Sequence, residues 1–352
     1  MQSIKANGYP IYFGEDEYQS LNKFIEVNNY STIFIITDTN SNEYCLPKFL
    51  PFLATEKTIE IIEIESGEVE KNITTCVELW NILTELGGDR KSLLINIGGG
   101  VITDIGGFVA STFKRGIDFI HIPTTLLAMV DASVGGKNGV DLGNLKNQIG
   151  VINVPKMVVI NTNYLSTLPQ NEMRSGVAEM LKHGLIFDTN YWEKLKELNQ
   201  TDFDDLIHRS IEIKNEIVMQ DPGENGIRKA LNFGHTLGHA IESYFLENEN
   251  KKTLLHGEAI AVGMVLESYI SWQKELISVG EYLEIKNAIK TIFETIIFKE
   301  EDIQPILDLL IHDKKNEHGK IQFALLDGIG KVRINQEADN ELILRSFEDY
   351  KD

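Results

Sequence analysis

Two histidines stand four residues apart in LNFGHTLGHAIE, residues 231–242, a segment otherwise typical of an amphipathic helix. On a helix, side chains spaced by three and four residues share one face. That face would carry Arg228, Asn232, His235 and His239. A lone histidine there is most often a packed or solvated side chain. A row that combines a guanidinium, an amide and two imidazoles instead indicates a site for a metal ion or an anion.

Two further segments contain residue types that bind zinc. LLHGEA holds His256, and RSGVAEMLKHG places Glu179 three residues before Lys182. One carboxylate and two imidazoles would form an open zinc site, with the remaining positions left for water or substrate. A buried polar network is the alternative interpretation. The spacing does not choose between His235 and His239, and two other carboxylates could replace Glu179. They are Glu172 and Glu258.

A glycine-rich segment, INIGGGVITDIGGF at residues 95–108, follows the pattern of a strand that runs into a helix. Glycines at such a junction let backbone N–H groups and a helix N-terminus approach a diphosphate, which predicts a nucleotide site. Thr103 stands where the usual G-x-G-x-x-G pattern has its third glycine, so a tight structural turn is the alternative. Asp104 either caps the helix or binds the ligand.

Basic residues gather in a Gly-rich stretch of an otherwise acidic chain. DASVGGKNGVDLGNLKNQIG, residues 131–150, has too little apolar content for a core and carries Asp131, Lys137, Lys146 and Asn147. Each lysine alone is typical of a solvated surface, but together they favour an anionic small molecule, and phosphate is the simplest candidate. Other cations with the same expected role are Arg115, Lys214, Arg228, Lys314 and Lys315.

Composition excludes several classes of function. The chain has 352 residues, 42% hydrophobic and 24% charged, which is typical of a globular protein with two domains. Its net charge of -20 does not suit a nucleic-acid binder. No segment predicts a signal peptide or a membrane span, and Cys45 and Cys76 are too few for a disulfide framework. We therefore expect a cytoplasmic protein without membrane or nucleic-acid partners.

β-Rich runs alternate with helical patterns in the first half of the chain. The runs are STIFIITD, TIEIIEIE, SLLINIGGG, DFIHIPTT and MVVINT, at 31–38, 58–65, 92–100, 118–125 and 157–162. Apolar residues at helical spacing between 73 and 83, followed by Gly87 and Gly88, predict a helix between two of them. This alternation indicates βαβ units around a mostly parallel sheet.

The pattern changes after about residue 170, where long periodic segments predict helices. IQFALLDGIGKVRI, near the end, is the exception and predicts a hairpin. We expect an α/β nucleotide-binding domain over residues 1–167. A mainly α-helical metal- and substrate-binding domain is expected over residues 168–352.

Several of these motifs together resemble the 3-dehydroquinate synthase family. They are IGGGVITDIGGF, FKRGIDFIHIPTTLLAMVDASVGGKNGVD, LKNQIG, GVAEMLKHG, LNFGHTLGHAIE and LLHGEA, in the family's order and with similar spacing. The resemblance extends from about residue 30 to about residue 330. It implies a fold like that of glycerol dehydrogenase, with NAD on the N-terminal domain and a metal on the helical C-terminal domain.

The resemblance also implies roles for individual residues. The metal ligands would be Glu179, His235 and His256, with His239 on the substrate side or handling a proton. The NAD contacts would be Asp38, Glu68, Lys71, Gly99, Gly100, Val101, Asp104, Thr124, Thr125, Lys137, Lys146 and Thr167. The substrate contacts would be Arg115, Asp131, Lys137, Asn147, Lys182, Lys214, Arg228, Asn232 and one of Lys314 and Lys315. Thr103 and Asn138 depart from residues common in the family, and both stand beside expected contacts.

The implied reaction converts 3-deoxy-D-arabino-heptulosonate 7-phosphate to 3-dehydroquinate and phosphate, a lyase step of the shikimate pathway. NAD would act as a catalyst with Zn²⁺, or Co²⁺, and the expected assembly is a homodimer. Two alternatives belong to other classes: an alcohol or glycerol dehydrogenase, and a non-catalytic NAD-sensing scaffold that needs no metal. Accumulation of NADH with simple alcohols would indicate the first, and metal analysis separates the second.

Overall fold

The chain divides into two compact units. The structure, a computed structural model, describes residues 1–143, 145–196, 203–248, 250–310 and 321–351. Unit 1 is Met1–Pro169 and unit 2 is Gln170–Asp352. This division lies two residues from the boundary expected between 167 and 168.

Unit 1 contains nine strands among its described residues. They are β1 (Ile4–Lys5), β2 (Pro10–Phe13), β3 (Thr32–Asp38), β4 (Thr58–Ile64), β5 (Leu93–Gly98), β6 (Asp118–Pro123), β7 (Lys137–Leu142), β8 (Leu145–Ile152) and β9 (Val158–Ile160). Seven of them form one sheet in the order β1-β2-β9-β6-β5-β3-β4. Its neighbouring strands are parallel, apart from the antiparallel pair β1 and β2.

The α-helices of unit 1 lie between these strands. They are α1 (Tyr18–Asn28), α2 (Thr39–Tyr44), α3 (Leu46–Phe49), α4 (Ile73–Glu85) and α5 (Gly100–Thr112). The strands β3 and β5 are almost wholly buried, and continuous runs of Ile, Leu and Phe are what a sheet covered on both faces requires. Phe34 of β3 packs with Leu79 of α4 and Ile105 of α5 in one core. The five strands and the helix predicted for this half are confirmed.

Most of the Gly-rich stretch 131–150 lies in an antiparallel hairpin of β7 and β8, which the sequence pattern did not predict. Gly139 and Gly150 face each other in it, and a Cβ on Gly139 would lie 2.6 Å from the carbonyl oxygen of Ile149. The glycines allow the two backbones to approach closely. Because glycine and asparagine are depleted in strands, the composition of this segment concealed its structure.

Unit 2 is mainly helical. Its helices are α6 (Gln170–Phe187), α7 (Thr189–Lys196), α8 (Phe203–Gln220), α9 (His235–Glu247), α10 (His256–Gln273), α11 (Val279–Ile292), α12 (Glu300–Leu309) and α13 (Asn340–Tyr350). The predicted hairpin is confirmed, since β10 (Phe323–Leu326) pairs antiparallel with β11 (Val332–Gln336). α10 is the central helix and packs against α6, α9, α11 and α13. Every residue from 259 to 271 is buried. Within the described ranges, no helix has the length and apolar character needed to cross a membrane.

Candidate functional site

The polar row predicted from Arg228 to His239 does not lie on one helix, so that prediction was wrong. Arg228 and Asn232 belong to a 3₁₀ helix, Ile227–Asn232, and α9 begins only at His235. Between them Gly234 has φ +77°, and a Cβ there would lie 2.5 Å from Cγ of Met264 on α10. The close approach of α10 therefore requires glycine and turns the chain before α9.

Three imidazoles nevertheless converge in unit 2. His235 and His239 come from the first turns of α9, and His256 is the first residue of α10. Each offers a ring nitrogen within 4.8 Å of the other two. The ring centroids are 5.1 to 5.7 Å apart. Nitrogen donors at this spacing can bind one metal ion.

The carboxylate of Glu179 joins this group from α6, where it is fully buried. Its Oε1 atom lies 3.3 Å from Nε2 of His235 and 3.5 Å from Nε2 of His256. Its Oε2 atom pairs with Lys182, one helical turn later on α6. Among the described residues, no group makes a well-aligned hydrogen bond to either oxygen of Glu179. A buried carboxylate without such hydrogen bonds can still bind a metal ion.

The alternative carboxylates have other positions. Glu258 accepts the N–H of Leu255 at 2.8 Å and so caps the start of α10. Glu172 stands seven residues before Glu179 on α6, which is about 10 Å along the helix axis. Glu179 is thus the carboxylate that faces His235 and His256.

The other ring nitrogen of two histidines is engaged by protein groups. Nδ1 of His235 lies 3.1 Å from the carbonyl oxygen of Phe233, and Nδ1 of His256 lies 3.1 Å from Oε2 of Glu242. Both contacts leave Nε2 directed toward Glu179, an arrangement common at metal-binding histidines. The sequence interpretation missed Glu242. Its position three residues after His239 on α9 was a usable signal.

Burial and neighbouring charges shift the pKa values in this cluster. Burial favours protonation of Glu179, but Lys182 and His235 outweigh it and hold the pKa of the carboxyl well below its usual range. Burial and the charge of Lys182 lower the pKa of His235 to about 4, so its imidazole is neutral at pH 7. Burial would also lower the pKa of His256, but Glu242 and Glu179 raise it to about 10. Without a metal ion, these carboxylates keep His256 protonated. A divalent cation would supply that positive charge instead, so the donor set fits a zinc-type ion.

Three buried cations lie on α6, which carries Glu179, and on two elements that pack against α6. The exposed fractions of Lys182 on α6, Lys214 on α8 and Arg228 are 1%, 6% and 2%. α6 packs against α8, and both pack against the 3₁₀ helix that carries Arg228 and Asn232. Arg228 Nη1 donates to the carbonyl of Pro222 at 2.8 Å, and Asn232 donates to Glu224 at 3.2 Å. Lysine and arginine are the residue types that bind carboxylates and phosphates.

The second candidate site lies in unit 1, at the carboxyl edge of the parallel sheet. The chain runs from β4 back past β3 to reach β5, so the strand order reverses between β3 and β5. Ligands of open α/β sheets bind outside the strand ends at such a point. Most of the residues expected to contact NAD follow the ends of β3, β4, β5 and β6: Asp38, Glu68, Lys71, Gly99, Gly100, Val101, Asp104, Thr124 and Thr125.

The glycine loop is built for close approach. Gly99 is the N-cap of α5, and a Cβ on it would lie 3.0 Å from Cγ2 of Thr125. The N–H of Thr124 donates to the carbonyl of Gly98 at 2.9 Å, which joins the loop to the end of β6. Thr103 fits without disturbing this turn, because its hydroxyl donates to the carbonyl of Gly100 at 3.0 Å.

Charged side chains near the loop are paired with one another. Lys71, 6% exposed, lies 2.5 Å from Asp104, and Lys146 lies 2.7 Å from Glu68. The pKa of Lys71 is raised, because the carboxylates of Asp104 and Glu68 outweigh its burial. Asp38 caps α2 by accepting the N–H of Ser41 at 2.7 Å.

Other expected contacts lie on or near the β7–β8 hairpin. Asp131 is in a π-helical turn before it, Lys137 begins β7, and Asn147 is in β8 with φ +52°. The N–H of Asn147 donates to Asp141 at 2.6 Å. Asn138 is buried and donates to the carbonyls of Gly136 and Asn153. That departure from the family pattern therefore has a structural role in the hairpin.

The remaining expected contacts are Arg115, Thr167 and one of Lys314 and Lys315. Arg115 is exposed beyond the C-terminus of α5, about 20 Å along that helix from Gly100. Thr167 is exposed after β9, where its hydroxyl donates to the carbonyl of Tyr164 at 3.1 Å. Lys314 and Lys315 lie outside the described residues.

Comparison with known proteins identifies the family. Residues 61–175 match the family model "3-dehydroquinate synthase N-terminal", and residues 176–316 match "3-dehydroquinate synthase C-terminal". The 3-dehydroquinate synthase of Parabacteroides distasonis is 40% identical over 343 residues, 96% of this chain and 96% of its own. The chain belongs to the 3-dehydroquinate synthase family. The 3-dehydroquinate synthase of Helicobacter pylori strain G27 is 37% identical, covering 98% of this chain and 97% of its own.

Solved structures show how widely the fold of this 3-dehydroquinate synthase family member occurs. A 2-deoxy-scyllo-inosose synthase complexed with carbaglucose-6-phosphate, NAD⁺ and Co²⁺ matches with a TM-score of 0.87 and 25% identity, covering 99% of this chain and 100% of its own. A 2-epi-5-epi-valiolone synthase from Streptomyces hygroscopicus with NAD⁺ and Zn²⁺ matches with a TM-score of 0.85 and 22% identity, covering 100% and 99%. Glycerol dehydrogenase from Schizosaccharomyces pombe matches at 0.67 and 11%, covering 99% and 89%. The predicted fold class is confirmed.

Proposed function

We propose that the chain is a 3-dehydroquinate synthase that converts 3-deoxy-D-arabino-heptulosonate 7-phosphate to 3-dehydroquinate and phosphate, a carbon–oxygen lyase of the shikimate pathway. The observation that carries the proposal is the convergence of three imidazoles, two of which face the buried carboxylate of Glu179. Buried cations on the helices packed around this cluster suit a doubly anionic substrate. Relatives that carry this name match almost the whole chain.

A divalent metal, Zn²⁺ or Co²⁺, would be held by Glu179, His235 and His256. When bound, such an ion is a Lewis acid for a hydroxyl or carbonyl oxygen of the substrate. His239, half-buried beside the other rings, would hold or move a proton at its ring nitrogen. The ion pair between Lys182 and Glu179 keeps both side chains ordered inside unit 2.

The cations would anchor the two anionic ends of the substrate. Lys182, Lys214 and Arg228 are buried, so each gains more from an anion than a solvated cation would. We assign Lys137, Arg115, Asp131, Asn147 and Asn232 to the same substrate by family resemblance. Holding the carboxylate and the phosphate at once selects one substrate conformer, which is how positioned groups lower a reaction barrier.

NAD would occupy the carboxyl edge of the sheet in unit 1, with its diphosphate at the glycine loop before α5. When bound, NAD supplies a hydride acceptor and, after reduction, a hydride donor. Lys71 and Lys146, each held by a carboxylate, would orient the cofactor's polar groups. We also propose a cytoplasmic location and a homodimer. The two buried thiols, Cys45 and Cys76, are consistent with a reducing compartment.

The proposed activity is tested by incubating the purified protein with the heptulosonate phosphate, NAD and Zn²⁺. Inorganic phosphate and the cyclic product should appear in equal amounts, measured by phosphate assay and NMR of the same sample. NADH that accumulates with glycerol or another simple alcohol, without phosphate release, would instead identify an alcohol dehydrogenase. A protein purified without chelator that contains no metal would support a scaffold.

The substitution Arg228→Lys is expected to lower kcat/KM by about 10- to 100-fold. Hydrogen bonds to charged groups contribute about 1.5–3 kcal/mol each, and lysine replaces the planar fork with a point charge. Steady-state kinetics over a range of substrate concentrations measure the effect. Arg209→Lys is the control, because Arg209 on α8 pairs with Asp188 at 2.7 Å and is 38% exposed. Equal kinetics for both variants would mean that Arg228 does not bind the substrate.

A further inference from the structure

The first turn of α9, which carries His235, cannot be capped by its own N-cap residue. The N–H groups at a helix start need acceptors from outside the helix. The N-cap position is Gly234, which has no side chain to offer. A larger residue does not fit there, since its Cβ would lie 2.5 Å from Cγ of Met264. The backbones also approach closely at Gly263 of α10, where a Cβ would lie 2.0 Å from the carbonyl oxygen of Gly234.

The acceptor comes from α10 in the form of Glu267. This residue is fully buried, three turns after His256. Its Oε2 atom accepts the N–H of Gly234 at 2.7 Å, and its Oε1 atom accepts the N–H of Leu237 at 3.0 Å. Both carboxylate oxygens thus serve the start of α9, where the helix dipole favours a negative charge.

One peptide unit connects Glu267 to His235. The N–H of Gly234 and the carbonyl of Phe233 belong to the same planar peptide. Its N–H donates to Glu267, and its carbonyl oxygen lies 3.1 Å from Nδ1 of His235. A carbonyl only accepts hydrogen bonds, so when Nε2 binds the proposed metal ion, Nδ1 carries the proton and donates to this carbonyl. Nε2 then keeps its lone pair and faces Oε1 of Glu179 at 3.3 Å.

We propose that Glu267 is a positioning residue for the metal centre. Its carboxylate fixes the Phe233–Gly234 peptide, and that peptide fixes the ring orientation and the tautomer of His235. The negative charge also polarises the peptide, which strengthens the carbonyl as an acceptor. The inference rests on the proposed role of His235 as a metal ligand, and it assigns a function to a buried acid that acts on that ligand through one peptide unit.

The variant Glu267→Gln tests this role. Its amide nitrogen cannot accept a hydrogen bond, so one of the two backbone N–H groups loses its partner. We expect the dissociation constants for Zn²⁺ and Co²⁺, measured by competition with a chromophoric chelator, to rise about 10- to 100-fold. The visible absorption of bound Co²⁺ should also change, because the His235 ring is no longer held in one orientation.

Glu281→Gln is the matched control. Glu281 accepts the N–H of Ser278 at 2.8 Å and that of Ile329 at 3.3 Å, and its helix α11 carries none of the proposed ligands. We expect this variant to lose thermal stability while the metal affinity and the Co²⁺ spectrum stay unchanged. An unchanged affinity and spectrum in Glu267→Gln would overturn the inference.

A measurement on the unaltered protein covers the case in which Glu267→Gln does not fold. Hydrogen exchange followed by NMR should show protected amides at Gly234 and Leu237, and in the Zn²⁺-bound protein the His235 ring should carry its proton on Nδ1. Rapid exchange at both amides, or a proton on Nε2, would overturn the proposal. Failure of the unaltered protein to bind Zn²⁺ or Co²⁺ would overturn the proposed metal centre itself, which is a separate outcome.

Discussion

Alanine in place of His235 is expected to remove the bound metal and abolish turnover, whereas His239→Ala is expected to keep the metal and lose rate. His235 and His256 each have Nδ1 against a protein acceptor and Nε2 against the same oxygen of Glu179. That arrangement presents two fixed nitrogen donors and one oxygen donor to a single point. Removing one of the three opens the site to water and leaves the buried charge of Glu179 less compensated.

Metal content after purification without chelator, together with steady-state kinetics, measures both effects. Zn²⁺ or Co²⁺ should restore chelator-treated unaltered protein and His239→Ala, but not His235→Ala. His208→Ala is a control, since this imidazole on α8 faces Glu212 at 3.6 Å and has no role in the proposed centre. The opposite pattern, with metal lost from His239→Ala and kept by His235→Ala, would exchange the two roles.

Product formation is expected to exceed the added NAD many times over, with no accumulation of NADH. In the proposed reaction the substrate is oxidised and then reduced on the same enzyme, so the nicotinamide ends each turnover in its starting state. An alcohol dehydrogenase has the same fold, as the likeness to glycerol dehydrogenase illustrates, but it converts one NAD for each product. The ratio of NADH to product therefore distinguishes the two functions: it is zero for the cyclase and one for the dehydrogenase.

The measurement combines phosphate release with the absorbance of reduced nicotinamide in one reaction that contains substoichiometric NAD. Phosphate should rise to the amount of substrate while the nicotinamide signal stays flat. Protein freed of NAD should be inactive until NAD is returned. NADH that grows in proportion to product would show a net oxidoreductase, and the cyclase proposal would fail.

Much of the architecture is present in local patterns of residues. The strands β3, β5, β6 and β9 were predictable because a sheet covered on both faces needs continuous β-branched and apolar runs. The edge strand β4 was predictable from its β-branched isoleucines, although it is only partly buried. The late hairpin of β10 and β11 was predictable from its turn glycines, Gly328 and Gly330, which both have positive φ. The metal-binding residue types were also recognisable, since few other functions combine imidazoles and a carboxylate near glycine-rich helix starts.

The sequence by itself determined which segments would form strands and helices and which residue types could bind a metal, an anion or a nucleotide. Only the tertiary structure decided which of them meet. Helical spacing predicted one continuous row from Arg228 to His239, but the packing of α10 against Gly234 breaks it. Packing likewise turned Glu179 rather than Glu172 toward His235 and His256, and brought Glu267 to the start of α9. Local periodicity reflects the backbone hydrogen bonding within one segment. The partner of a buried charge depends instead on contacts between segments that are distant in the chain.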